Sequence, residues 1–184
     1  MTEIKECKIA GLKLFEPKVI KDERGYFMES FNEKTFDKYL EGINFVQDNE
    51  SKSKFGVLRG LHFQRPPLDQ AKLVRVISGK IYDVAIDLRK NSPTYARYEC
   101  FELSSENKHQ LFIPSGFAHG FLVISEKAIV NYKVDKYYSK EHESGIIWND
   151  EIINIKWPIN PDKIMVSEKD RRLIRFNKFE SCFL

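Results

Sequence analysis

Gly56-Val57-Leu58-Arg59-Gly60-Leu61-His62-Phe63-Gln64 alternates as a half-buried strand does, with Leu58, Gly60, His62 and Gln64 on one face and Val57, Arg59, Leu61 and Phe63 on the other. A histidine, an arginine and a glutamine stand among apolar residues and glycines, so the stretch carries chemistry as well as core. An imidazole on the wall of a β-rich core is either hydrogen-bonded structure or a working acid/base, and the strand alone leaves both readings open.

The same period recurs outward from this stretch. Ala71 to Ile77, Lys80 to Leu88, Ala96 to Leu103, Gln110 to Ile113, His119 to Ile124 and Ala128 to Val134 read as strands, as does Asn44 to Asn49 upstream. Their separators are turn chemistry, such as Ser78-Gly79 and Ser92-Pro93-Thr94, at the spacing of an antiparallel sandwich or barrel. Nearer the N-terminus, Lys8 to Ile20 contains Pro17 and reads as one or two strands near an edge. Asp22-Glu23-Arg24-Gly25 is a turn, after which Tyr26 to Phe31 resumes a strand with Phe27, Glu29 and Phe31 on one face. Asn32 as N-cap, apolar Phe36, Tyr39 and Leu40, and Gly42 at the end predict a helix over 33–40. From Tyr137 to Leu184 the pattern is irregular, with a short helix starting near Ser167. The expected fold is mainly β: a jelly-roll or cupin-type β-barrel with a few short peripheral helices, as one domain over residues 1–184.

Composition narrows the function classes. At 42% hydrophobic, 31% charged and 13% aromatic residues, the 184-residue chain is of globular type and large enough for a substantial core. The net charge of +3 arises from 30 basic and 27 acidic residues with interspersed signs, which predicts no nucleic-acid stripe. No apolar run reaches bilayer-spanning length, and the first residues are charged where a signal peptide needs an apolar core, so no membrane partner and a cytoplasmic address are expected. Cys7, Cys100 and Cys182 are odd in number and lack CxxC spacing, which suggests neither a disulfide framework nor a thiolate metal site.

Of the four histidines, only His62 and His119 sit in apolar strand context. Pro114-Ser115-Gly116-Phe117-Ala118-His119 resembles the second sequence motif of cupins. The first motif of metal-binding cupins supplies His-x-His and a glutamate, where this chain has His62-Phe63-Gln64 and no glutamate soon after. Two histidines fall short of the three protein ligands a catalytic metal commonly takes, so no metal is expected. Lys72 shares a face with Val74 and Val76 and should point its ammonium into the barrel, either to pair with Asp83 on the next strand or to hold an anion. Tyr132 alternates with Ala128, Val130 and Val134 on an inward face, where a phenol is either hydrogen-bonded structure or an acid. Asp170 fits the acidic position of a capping box opened by Ser167.

Taken together, these blocks resemble the dTDP-4-dehydrorhamnose 3,5-epimerases of deoxysugar nucleotide biosynthesis. The resemblance runs through Asp22 to Glu29, Phe45 to Ser51, Gly56 to Gln64, Gln70 to Val76, Asp83 to Arg89, Ile113 to Phe121 and Ser167 to Asp170, in that order. It implies a cupin-type jelly roll that forms a homodimer, uses no metal or other cofactor, and acts on a dTDP-linked 4-keto-6-deoxy sugar. His62 is then the base, oriented by Asp170, Tyr132 is the acid on the opposite side, and Lys72 holds the enolate. A base alone is insufficient, since a mismatch on the order of ten pKa units between a carbon acid and imidazole exceeds roughly 13 kcal/mol. For the substrate, the resemblance implies Arg24, Arg59 and Lys169 at the diphosphate, Tyr138 stacked on the thymine, and Phe27, Glu29, Gln47, Asn49, His119 and Glu143 as further contacts. Strict alternation sets Arg59 opposite His62, so either Gly60 marks a bulge or Arg59 serves elsewhere, for example across the dimer. A relative that inverts a single carbon, a metal-dependent cupin and a non-catalytic nucleotide-sugar binding module are the alternatives.

Overall fold

Period-two patterning becomes two facing sheets in the computed structural model, which describes residues 3–40 and 42–184. The strands are β1 (Glu3–Glu6), β2 (Lys13–Glu16), β3 (Ile20–Asp22), β4 (Gly25–Phe27), β5 (Gln47–Lys54), β6 (Val57–Gln64), β7 (Lys72–Ser78), β8 (Lys80–Asp87), β9 (Tyr98–Ser104), β10 (Gln110–Ile113), β11 (Phe117–Val123), β12 (Lys127–Val134), β13 (Glu143–Gly145) and β14 (Met165–Val166). Helices α1 (Glu33–Phe36) and α2 (Glu168–Arg171) are single turns. One sheet runs β1-β2-β10-β7-β12-β5 and the other β13-β6-β11-β8-β9, with β14 parallel to β6. This is a cupin-like jelly roll, and the hairpin β3-β4 stands outside both sheets.

Alternate residues of the central strands meet between the sheets. Val74 and Val76 of β7, Ile81 and Ala85 of β8, Leu111 and Ile113 of β10 and Val130 of β12 share one buried cluster. The outer face of the second sheet is covered by the irregular C-terminal stretch, where Ile146, Ile153 and Phe183 pack on Phe63, Val84 and Ile86. On the outside of the first sheet, Phe36 and Leu40 from the α1 region pack on Phe15, Leu73 and Phe112.

Several elements differ from the pattern reading. Helix α1 has the expected Asn32 cap but ends at Phe36, and the chain continues in turns with Tyr39 and Leu40 N–H both donating to the Phe36 carbonyl at 2.8 Å. Strand β4 stops at Phe27 rather than Phe31: extending its register would set Pro17, which has no N–H, against Ser30. The segment Lys8 to Ile20 supplies β2, which does lie near an edge, between the edge strand β1 and β10. Strand β5 runs to Lys54 instead of ending at Asn49, since its inward positions Ser51 and Ser53 are polar and leave no hydrophobic period.

Candidate active site

The site begins with an irregularity in β6, the strand Val57–Gln64. In the pairing of β6 with β11, His119 lies opposite His62 and Phe121 opposite Arg59, so three steps on β6 match two on β11. The extra residue is a bulge at Gly60-Leu61, and it turns Arg59 onto the same cavity as His62 within one chain. Only glycine fits there: φ is +121°, and a Cβ at Gly60 would sit 2.6 Å from the Gly120 Cα and 2.7 Å from the His119 carbonyl oxygen. Arg59 is then held by Ser53, whose Oγ accepts from Nε at 3.0 Å.

The cavity, about 530 Å³, opens between the sheets, and its volume suits a small ligand. From β6, His62 Nε2 lies 2.7 Å from Asp170 Oδ1, while Asp170 Oδ2 accepts from the Gly60 N–H at 3.2 Å. Asp170 is buried on α2, and Ser167 Oγ caps its N–H at 3.1 Å. The capping box is thus only half made, because the Asp170 carboxylate turns to the histidine. Burial alone would raise the Asp170 pKa; the hydrogen bond and charge of His62, the Gly60 N–H and nearby Lys169 together outweigh it and hold the carboxyl below its ordinary range. An ionised carboxylate only accepts, so His62 Nε2 carries its proton and the lone pair is on Nδ1.

Lys72 and Tyr132 enter from the facing sheet, on β7 and β12, and line the same cavity. Burial pulls the Lys72 ammonium down to about 8 against the opposing pull of Asp83 and Glu143. Its hydrogen-bond partner is the His62 carbonyl at 3.5 Å rather than Asp83, one of the two partners the sequence left open. Asp83 is given over to His119, whose Nε2 lies 2.9 Å from Oδ2. Burial, the largest influence, pushes the Tyr132 phenol up; Arg59 opposes this and Glu143 adds to it, so the phenol keeps its proton at neutral pH.

Tyr138, Glu143 and Lys169 form the cavity's polar margin: Glu143 Oε2 accepts from the Tyr138 hydroxyl at 2.7 Å and from Lys169 Nζ at 2.5 Å. Gln47 Oε1 accepts the Tyr138 N–H at 3.2 Å, and Gln47 Nε2 donates to Asn49 Oδ1 at 2.8 Å, which ties both β5 residues to this margin. Arg24, Phe27 and Glu29 do not join the cavity within one chain. Arg24 is bound to Asp22 on the β3-β4 turn, Phe27 is 69% exposed, and Phe27 and Glu29 line a separate groove beside α1.

Ser51 and Ser53 carry no role legible in the sequence, since a serine on a polar strand gives no pattern to read. Ser51 lines the cavity, and its Oγ is the buried side-chain oxygen or nitrogen without a hydrogen-bond partner among the described residues. Among those residues no group of three or more His, Cys, Asp and Glu is placed to hold a metal ion. No helix among them is long and apolar enough to cross a membrane.

A jelly roll that sets an imidazole–carboxylate pair on one wall of a cavity, and a buried ammonium and a protonated phenol on the other, is a cupin-type acid/base scaffold able to move protons on and off carbon. Known proteins narrow this class. The profile of the dTDP-4-dehydrorhamnose 3,5-epimerase family matches residues 6–178. Proteins of that description from Methanothermobacter thermautotrophicus and Shigella flexneri are 56% and 53% identical to the chain, each alignment covering 90% of it and 90% and 91% of the relative. The crystal structure of dTDP-6-deoxy-D-glucose-3,5-epimerase from Legionella pneumophila Philadelphia 1 in complex with dTDP-4-keto-L-rhamnose superposes with a TM-score of 0.94 at 43% identity, covering 98% of this chain and 95% of that one. The chain belongs to the dTDP-4-dehydrorhamnose 3,5-epimerase family.

Proposed function

We propose that this protein, as one cupin-like domain over residues 1–184, epimerises C3 and C5 of dTDP-4-dehydro-6-deoxyglucose to give dTDP-4-dehydro-L-rhamnose. The observation that carries the reading is that His62 and Tyr132 border one cavity from opposite sheets, with Lys72 beside them. His62 Nδ1 takes the proton next to the keto group, and the charge it gains is balanced by Asp170. Lys72 stabilises the enolate oxygen, and Tyr132 returns a proton to the other face. His119, held by Asp83, borders the same centre. Arg59 and Lys169 meet the diphosphate and Tyr138 stacks on the thymine, with Glu143, Gln47 and Asn49 as polar contacts. This chemistry calls for no cofactor.

Arg24, Phe27 and Glu29 complete the site from a second copy of the chain, in a homodimer. The exposed apolar residues Ile20, Tyr26 and Phe27 on the β3-β4 hairpin support this, as does the hairpin's position outside both sheets. A nucleotide-sugar substrate fits a cytoplasmic address.

The test is turnover of dTDP-4-dehydro-6-deoxyglucose in D2O, with product stereochemistry and label read by NMR. Deuterium at both C3 and C5 with the L-rhamno configuration is expected. Deuterium at one carbon alone assigns a single-carbon epimerase, and none at either overturns the reading.

A further inference from the structure

We propose that Gln64 is a positioning residue for the nucleotide: a buried amide that fixes the loop carrying Tyr138 to the strand carrying His62, and so sets where the base stacks relative to where the proton moves. The inference rests on the reading of Tyr138 given above.

Gln64 lies two residues beyond His62 on β6 and is 4% exposed. Every hydrogen-bonding group of its amide nitrogen is committed, and so is its oxygen. Oε1 accepts the Ser139 N–H at 2.6 Å, while Nε2 donates to the Leu68 carbonyl at 2.6 Å and the Tyr137 carbonyl at 3.2 Å. These partners are not interchangeable: one is a donor and two are acceptors, so a neutral amide in a single orientation meets all three. A carboxylate would meet only the first.

Tyr137 and Ser139 bracket Tyr138, so two of the three bonds grip the backbone immediately on either side of the stacking residue. Tyr138 is itself 54% exposed, and it is tied by its N–H to Gln47 and by its hydroxyl to Glu143. A ring so exposed on a loop has little packing to aim it, and the aim comes from the backbone that Gln64 holds. With the loop already ordered in the free protein, less ordering entropy opposes nucleotide binding. The same position is where metal-binding cupins carry the second histidine of His-x-His. Here it is a glutamine whose whole amide is turned to loop backbone.

The test is a double-mutant cycle on the full-length protein, with dTDP affinity measured by calorimetry for wild type, Gln64→Met, Tyr138→Ala and the double variant. Gln64→Met keeps side-chain length and removes all three bonds. Each single variant is expected to weaken dTDP at least about fivefold, the lower end of what base–aromatic stacking is worth. The double variant is expected to be no more than about twofold weaker than Tyr138→Ala alone, because Gln64 acts through Tyr138. In turnover, the loss in Gln64→Met falls on KM more than on kcat. Fully additive losses, or unchanged dTDP affinity in folded Gln64→Met, overturn the proposal. Should Gln64→Met fail to fold, hydrogen exchange of the wild type without nucleotide decides: the Ser139 amide is expected to be protected, and exchange at the rate of an exposed loop overturns the clamp. A wild type that turns over the 4-keto sugar but gives an additive cycle removes the role of Gln64 alone. A wild type that neither binds dTDP nor turns over removes the proposed function and this inference with it.

Discussion

His62 shows how a residue acquires chemistry from its partners. Asp170, 2.7 Å from the imidazole, assigns its proton to Nε2 and leaves the lone pair on Nδ1. His62→Ala and Tyr132→Phe are each expected to lower kcat by about 10²–10⁴-fold, the usual worth of a positioned acid or base, while dTDP affinity by calorimetry stays within about threefold of wild type. If both variants turn over at wild-type rates, the roles are misassigned. Lys72 supplies a pH signature. Its ammonium is pulled down to about 8 by burial and must be protonated to hold an enolate. Activity therefore stands below that pH and is lost as pH rises through it: kcat/KM is expected to fall with a basic limb near 8. In kcat the limb should lie higher, because the bound anion favours the charged amine, and in Lys72→Arg it should disappear from the range below pH 10, since guanidinium stays charged. A limb unmoved in Lys72→Arg belongs to another group.

Among the elements, the β6 bulge decides the most. Without it Arg59 and His62 would occupy opposite faces, and the Arg59 guanidinium would lie outside the cavity. Gly60→Ala forces a side chain into a backbone with φ of +121° and against the Gly120 Cα. The strained backbone alone is expected to cost about 1–3 kcal/mol, read as a lower Tm and denaturation midpoint, with loss of epimerase activity in the protein that remains folded. Full activity and an unchanged Tm would show that the bulge tolerates a Cβ. The elements also mark where pattern reading succeeds. Strands β6, β7, β8, β10 and β12 were legible because they are apolar-rich runs bounded by turn chemistry, buried between the sheets and, for Phe63, Leu73, Val84, Ile86 and Phe112, under the segments that cover the outer faces. Strand β5 is legible only as far as Asn49, because its further inward positions, Ser51 and Ser53, are polar. The short strands β13 and β14 carry no period at all, being held by pairing with β6 rather than by their own sequence.

At the scale of the whole molecule, a cavity that lacks Arg24, Phe27 and Glu29 within one chain has its counterpart in a hairpin that lies outside both sheets. If the second copy supplies them, sedimentation gives a dimer and the defects complement across subunits. Mixing His62→Ala with Arg24→Ala chains, by co-refolding, is expected to restore roughly a quarter of wild-type activity, because half of the sites in half of the dimers regain both residues. Each variant alone is expected to be far below this. Absence of recovery in a mixture shown to contain heterodimers would place Arg24 outside the partner's site.

The residue types and their order along the chain were enough to define the jelly roll and the family and to offer candidates for acid, base and cation, because alternation and the order of motif blocks are read directly along a chain. Which of those groups meet was decided by the tertiary structure alone. The register shift at Gly60 brings Arg59 beside His62, the α2 turn carries Asp170 across 108 residues of chain to the imidazole, and His119 claims the Asp83 that spacing alone offered to Lys72. Pairing across sheets depends on register and on competition among neighbours for each carboxylate, and neither is written in the period of any single strand.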